Sequence, residues 1–162
     1  MAVKKTKAAP KAPKITHVAE CLGVKVPDSP FMHAGRIKRI NNVEYEGQEI
    51  RGAMHVVGKG DRVLEVGSGL GIVGGVIAKN CKPARVRSFE ANPALIPHIE
   101  ALYKMNNLSS KISVQNQVLI SASDRPKTMK FHLMSSYLGS SLTDTGGRAR
   151  DTVDVQTASF SE

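Results

Sequence analysis

Read from the N-terminus, the spacing of apolar positions changes character several times. Ile15, Val18, Ala19 and Leu22 recur at helical spacing, which predicts a short helix over 15–22, followed by Pro27 and Pro30. Between Arg36 and Tyr45 the apolar residues Ile37, Ile40, Val43 and Tyr45 alternate loosely. That predicts a short strand pair turning at Asn41-Asn42. Ile50, Ala53, Met54 and Val57 share one face of a helix predicted over 46–57, which Gly58 and Gly60 stop. Arg62–Val66 then reads as a strand, and Ile72–Asn80, apolar nearly all round, as a buried helix. Arg85–Phe89 is a second strand. A helix over 94–107 carries Leu95, Ile99, Leu102 and Met105 along one face and opens at Asn92-Pro93, with Asn92 as its candidate N-cap. A third strand covers 112–120. Strand, helix, strand, helix, strand at these lengths predicts an α/β chain with a βαβαβ parallel half-sheet and right-handed crossovers. Two further strands, 128–134 and 152–160, flank a loop over 135–147 that is rich in serine and glycine.

Ligands of such sheets bind at the carboxyl ends of the strands. Gly67-Ser68-Gly69-Leu70-Gly71 occupies the first of these ends. Glycine there permits positive φ and close approach of a ligand to the backbone, and the helix start offers free N–H groups. Glu90 ends the second strand, nineteen residues after Gly71, where a carboxylate accepts the two hydroxyls of a ribose. Gly69-x-Gly71-x-x-Gly74 also satisfies the dinucleotide spacing, which keeps an NAD-binding oxidoreductase half-domain in view. Glu65 stands two residues before Gly67 and completes Glu-x-Gly-x-Gly-x-Gly, the first motif of S-adenosylmethionine-dependent methyltransferases. In that reading Glu65 faces the ammonium of the cofactor. In the plainer reading it pairs with an Arg or Lys, because a buried carboxylate is costly alone.

The stretch RVLEVGSGLGIVGGVIAKN, followed by VRSFEANPALIPHIEALYKMNNL, resembles the FkbM-type methyltransferase family. FEANP is similar to that family's Phe-Glu-Pro-Asn-Pro, with Ala91 in place of the first proline. NQVLISASDRPKTMKFHL, GSSL and VDVQTASFSE resemble its third strand, serine-bearing segment and following strand, so the likeness runs over roughly 60–162. It implies a Rossmann-like class I methyltransferase fold, S-adenosyl-L-methionine as donor and a hydroxyl acceptor on a small molecule or glycan. Carried over, Gly67, Ser68, Gly69 and Gly71 line the cofactor together with Glu65. Glu90 holds the ribose, Ala91 and Asn92 shape the adenosine edge, and Asn116 or Gln117 lies near the adenine. The family's fourth core strand, with its Lys-Ile-Asp-x-Glu-Gly-like segment, should follow the last residue. The half-sheet is therefore expected to be incomplete, in a fragment or in a short protein. Its open edge invites a homo-oligomer.

Composition places the chain among folded domains, with 41% hydrophobic and 23% charged residues. No run of 18 apolar residues exists, so no membrane-spanning helix and no membrane partner is expected. The N-terminus lacks the apolar stretch of a secretory signal. Cys21 and Cys81 make no disulfide framework and read as reduced thiols of a cytoplasmic protein. Of the net charge of +9, five lysines sit in residues 1–14, which hold no acid and read as a disordered tail. A polyanion would suit that tail, but three Tyr, four Phe and no Trp give little for base stacking, so nucleic acid is not the expected partner. The expected organisation is a tail over 1–14, a lead-in over 15–57 and a partial S-adenosylmethionine-binding domain over 58–162. His33, His55, His98, His132 and Asp124 are the candidate bases by type, and none is assigned. His98 reads as a surface residue and the scattered methionines, Met54 among them, as core filler. His17 with Cys21 supplies too few ligands for a metal. A binding module that keeps the nucleoside pocket without catalysis is the third reading.

Overall fold

The computed structural model describes residues 16–121, 124–144 and 146–160, so the tail over 1–14 lies outside the described residues. The chain opens with a hairpin, β1 (His17–Cys21) paired antiparallel to β2 (Val24–Pro27). This corrects the helix expected over 15–22. Ala19 and Cys21 are buried around an exposed Glu20, and Val24 and Val26 around an exposed Lys25, a period of two on both strands. Leu22-Gly23 turns with positive φ at both positions, the geometry of a tight hairpin. So short an apolar run satisfies both periods, and the turn decides between them.

The strand pair expected over 36–45 is a helix, α1 (Ala34–Asn41). His33 caps it, its Nδ1 accepting the Arg36 N–H at 3.3 Å. Ile37 and Ile40 meet the core, Arg36 is half-buried, and Lys38 and Arg39 are exposed. α2 (Gly47–Val56) follows as expected, with Ile50 fully buried. Met54, however, is 41% exposed and is not core filler.

The Rossmann-like half-sheet forms from β3 (Arg62–Val66), α3 (Ile72–Asn80), β4 (Arg85–Phe89), α4 (Ile96–Met105) and β5 (Ile112–Gln115). The strands lie in the order β3-β4-β5, all parallel, with Val63 beside Val86 and Val86 beside Ile112. α4 starts two residues later than predicted. Asn92 Oδ1 takes the Ala94 N–H at 3.0 Å in a turn ahead of the helix, so Asn92 caps that turn and not α4. The third strand is broken. β5 stops at Gln115, and after Asn116-Gln117 a separate β6 (Val118–Ile120) runs into a second sheet. That sheet has the order β6-β8-β7, built with β7 (Thr128–Leu133) and β8 (Asp151–Ser159). A single 3-10 turn over Tyr137–Gly139 interrupts the serine- and glycine-rich loop.

One face of β3-β4-β5 carries Val63, Val86 and Ile112 against α3 and α4. The same core takes in Ala19, Cys21, Val24 and Val26 from the hairpin, Ile40 from α1 and Ile50 from α2. Described segments before Gly58 thus contribute to the main core. Val118, Phe131 and Val155 form a smaller cluster under the second sheet. Among the described residues no helix is long and apolar enough to cross a membrane.

Candidate functional site

β3 ends at Val66, and the chain turns through Gly67, Gly69 and Gly71 with φ of +80°, +54° and +74°. These values are open to glycine and costly to other residues. The turn is pinned to the end of β4. Phe89 O accepts the Gly67 N–H at 2.9 Å, the Ser68 N–H at 3.1 Å and the Ser68 hydroxyl at 3.2 Å. The Gly71 N–H goes to Ser68 O at 2.7 Å. The glycines do different work. A Cβ on Gly71 would come within 2.8 Å of Ile99 Cγ2, and one on Gly74 would run into the Glu65 carboxylate and lie 2.9 Å from Ile112 Cδ1. Gly71 is needed where α3 starts against α4, and Gly74 where α3 lies on the sheet. A Cβ on Gly67 would meet no heavy atom within 4 Å, so this is where the turn leaves room.

Glu90 stands at that opening, 6% exposed. Its Oε2 accepts the Gly69 N–H at 2.8 Å and its Oε1 the Asn92 N–H at 2.7 Å. Burial pushes its carboxyl up, and the N–H groups of Asn92, Gly69 and Ala91 pull the other way. Each oxygen keeps a further lone pair to offer. The Asn116 side-chain amide donates to Glu90 O at 2.8 Å and to Ala91 O at 3.0 Å, clamping the segment that carries the carboxylate. Glu90, Ala91, Asn92 and Asn116 therefore come together beside Gly69. Gln117 gives its backbone N–H to Gln115 O in the break between the sheets.

Glu65 has partners that neither sequence expectation named. Its Oε1 accepts the Gly74 N–H at 2.7 Å and its Oε2 the Ser88 hydroxyl at 2.5 Å, while Tyr103 donates to Ser88 Oγ at 3.3 Å. Gly74 is in the first turn of α3, where N–H groups have no partner within the helix, and Gly71 before it has no side chain to cap with. Glu65 caps the helix from the strand beneath. No Arg or Lys pairs with it among the described residues, so that expectation is corrected. Burial raises its carboxyl against the pull of Ser88 and Gly74.

Sequence reasoning missed the wall opposite Glu90. The hydroxyls of Tyr45 and Tyr137 meet at 2.6 Å. Phe31 packs edge-on against both Tyr137 and His98, and the Arg36 guanidinium sits 4.8 Å from the Tyr137 ring centre. His98 is accordingly half-buried, not a free surface residue. Glu46 belongs to this wall. A Cβ on Gly69 would stand 3.7 Å from the Tyr45 hydroxyl and 3.9 Å from Glu46 Oε1. Glu46 has φ of +47°, makes no side-chain bond to the helix it precedes, and buries Oε2 without a hydrogen-bond partner. Its carboxyl is pushed up to about 7, by burial first, then by the charges of Glu65, Glu49 and Glu90, with the Tyr45 hydroxyl opposing. In the sequence Glu46 reads as a helix-start carboxylate, and nothing local marks it further.

Three carboxylates from three segments, Glu46, Glu65 and Glu90, thus surround one glycine turn. The N–H groups of Gly67, Ser68, Gly69 and Gly71 are all engaged by the protein itself. No group of His, Cys, Asp and Glu suited to a metal ion occurs among the described residues.

No family model and no curated protein matches the chain. Similar solved structures include Trm5b from Pyrococcus abyssi, 16% identical over 67% of this chain and 33% of that one, with a TM-score of 0.47. TYW2 from P. horikoshii in complex with MeSAdo is 20% identical over 65% of this chain and 35% of that one, with a TM-score of 0.42. TYW2 from M. jannaschii in complex with AdoMet is 18% identical over 47% of this chain and 41% of that one, with a TM-score of 0.39. The chain spans less than half the length of each.

Proposed function

We propose that the turn at Gly67 to Gly71 binds S-adenosyl-L-methionine and that the chain serves methyl transfer. One observation carries this reading: two carboxylates stand at Gly69 of the turn, Glu90 bonded to its N–H and Glu46 with Oε1 3.9 Å from where a Cβ would sit and with Oε2 lacking a partner. A dinucleotide brings a diphosphate, which suffers beside buried carboxylates. A nucleoside that carries a cationic amino-acid group and no phosphate suits the same site.

The residues divide the work. Glu90 offers its remaining lone pairs to the ribose hydroxyls. Gly67 leaves the clearance, and Asn92 with Asn116 shapes the adenosine edge. Glu46, with an oxygen that lacks a partner, faces the cationic end. Glu65 acts from behind the turn by holding α3. When bound, the cofactor supplies an activated sulfonium methyl, so the protein is left to supply position and electrostatics. Following the resemblance to FkbM-type enzymes, the acceptor is a hydroxyl, and the reaction an O-methylation of a small molecule or glycan.

Calorimetric titration with S-adenosylhomocysteine, with NADH in parallel, tests the reading. Micromolar binding of the former, lost in Glu90→Ala, is the expected result. Tight NADH binding without any heat from S-adenosylhomocysteine sinks it.

A further inference from the structure

The floor of the glycine turn is sealed. Glu90 is 6% and Ser68 2% exposed, and Gly69 is buried. What covers Gly69 comes from outside the β-α-β unit. A Cβ built there would stand 3.7 Å from Tyr137 Cε2 and 3.7 Å from the Tyr45 hydroxyl, which is van der Waals contact. No ligand atom fits between Gly69 and these two side chains. Glu90 bonds to the Gly69 N–H at the same spot, so its carboxylate is shut away with the turn. Tyr137 reaches this place on a strap, residues 134–140, that leaves β7 and returns at Ser141. The stem is closed by His132 and Ser141, whose N–H groups donate to each other's carbonyls at 2.8 and 3.1 Å. Within the strap the Met134 N–H goes to Ser140 Oγ at 3.1 Å, the Gly139 N–H to Ser136 O at 2.9 Å and the Ser140 N–H to Tyr137 O at 3.1 Å. All of these bonds stay within strap and stem.

Tyr137 reaches out of the strap. Its ring belongs to the main core, whereas Phe131 of the strand that bears the strap belongs to the smaller cluster. Its seat is the hydroxyl of Tyr45, the edge of Phe31 and the Arg36 guanidinium over its face. A neutral hydrogen bond, an aromatic edge and a cation–π contact each shift a population by a factor of a few to about tenfold. A seat built from such contacts is reversible. We propose that the strap is an autoinhibitory gate: seated, Tyr137 fills the space over Gly69 that a nucleoside at the glycine turn needs, and lifted, it uncovers Glu90. The proposal rests on the glycine turn being the ligand site. Ligand and seat then compete, and affinity is reduced by the fraction of time the strap is lifted. Weakening the seat therefore tightens binding, the reverse of what loss of a ligand contact does.

The test uses the full chain, S-adenosylhomocysteine as probe and two variants. Tyr45→Phe removes the partner hydroxyl, and Tyr137→Ala removes the ring. Circular dichroism checks that each folds, and the conservative Tyr45→Phe keeps the test decisive if loss of the ring does not. Calorimetry should show the probe bound about threefold tighter by Tyr45→Phe and about tenfold tighter by Tyr137→Ala. Without ligand, hydrogen exchange over 67–71 and 134–141 should quicken several-fold in both variants and stay unchanged in the β1–β2 hairpin. In wild type, added probe should quicken exchange over 134–141. Weaker or unchanged binding in the folded variants overturns the gate, as does a probe that slows exchange over 134–141. Failure of wild type and both variants to bind sinks the cofactor reading instead. Ligand-free exchange then decides the gate, and rates over 67–71 equal to those of wild type overturn it.

Discussion

A methyl group added at Gly71 would press on Ile99 and Tyr103, whereas one added at Gly67 would point into open space. Both positions have positive φ, so alanine strains either backbone by about 1 kcal/mol. Gly71→Ala adds overpacking, and a loss of about 3 kcal/mol is expected in urea melts. Gly67→Ala should lose only the strain and yet weaken S-adenosylhomocysteine by about tenfold or more. Equal binding by wild type and Gly67→Ala would remove Gly67 from the site. Glu46 supplies a pH signature. Its carboxyl rises from 4.5 to about 7 on folding, so between those values the folded chain holds more protons than the unfolded one. Its contribution to stability is therefore full below pH 4.5 and lost as pH rises through 7. Glu46→Gln should be more stable than wild type at pH 8 by roughly 2 kcal/mol and lack that slope. The ammonium of a bound amino-acid group is held best by the ionised form, so wild-type affinity for the zwitterionic S-adenosylhomocysteine should climb as pH passes 7 and the variant's should stay flat. A parallel climb in both would clear Glu46 of the role.

At the scale of elements, the glycine turn works because two strands and a helix are tied through side chains. Glu65 on β3 serves the open end of α3 and the Ser88 hydroxyl on β4 together. Glu65→Ala orphans both donors, and a loss of about 2–3 kcal/mol is expected in thermal melts. Asn116→Ala should behave differently. It frees the Glu90 and Ala91 carbonyls at an exposed position, so stability should change by less than about 1 kcal/mol. Affinity for S-adenosylhomocysteine should nevertheless fall several-fold, because Glu90 loses its clamp. A large stability loss with unchanged affinity would make Asn116 structural only. The same scale explains which elements were legible. α2 and α3 are long enough to show a helical period, and the strands of the parallel sheet are set off by Gly, Pro and Asn around them. The hairpin and α1 are short, and their few apolar residues fit either period. Leu22-Gly23 settles the first and the His33 cap the second. Nothing in the pattern announces the break at Asn116-Gln117, which depends on where β8 lies.

At the scale of the whole molecule, one core joins the lead-in to the Rossmann-like unit, and one sheet face stays uncovered. Leu64 and Val66 are exposed, so Leu64→Ser/Val66→Thr should leave the melting free energy within about 0.5 kcal/mol. A loss of 2 kcal/mol or more would mean that the face is covered in solution. From local pattern alone follow the alternation of strands and helices, the glycine turn and Glu90 at the end of the next strand, because each depends on neighbours within one β-α-β span. The other half of the site comes from folding. Tyr45 and Glu46 lie over twenty residues before Gly69, and Tyr137 nearly seventy after it; no periodicity links them. Packing of α2 and of the 3-10 turn against the glycine turn brings them together. Burial there gives Glu46 a charge state that its sequence neighbours do not.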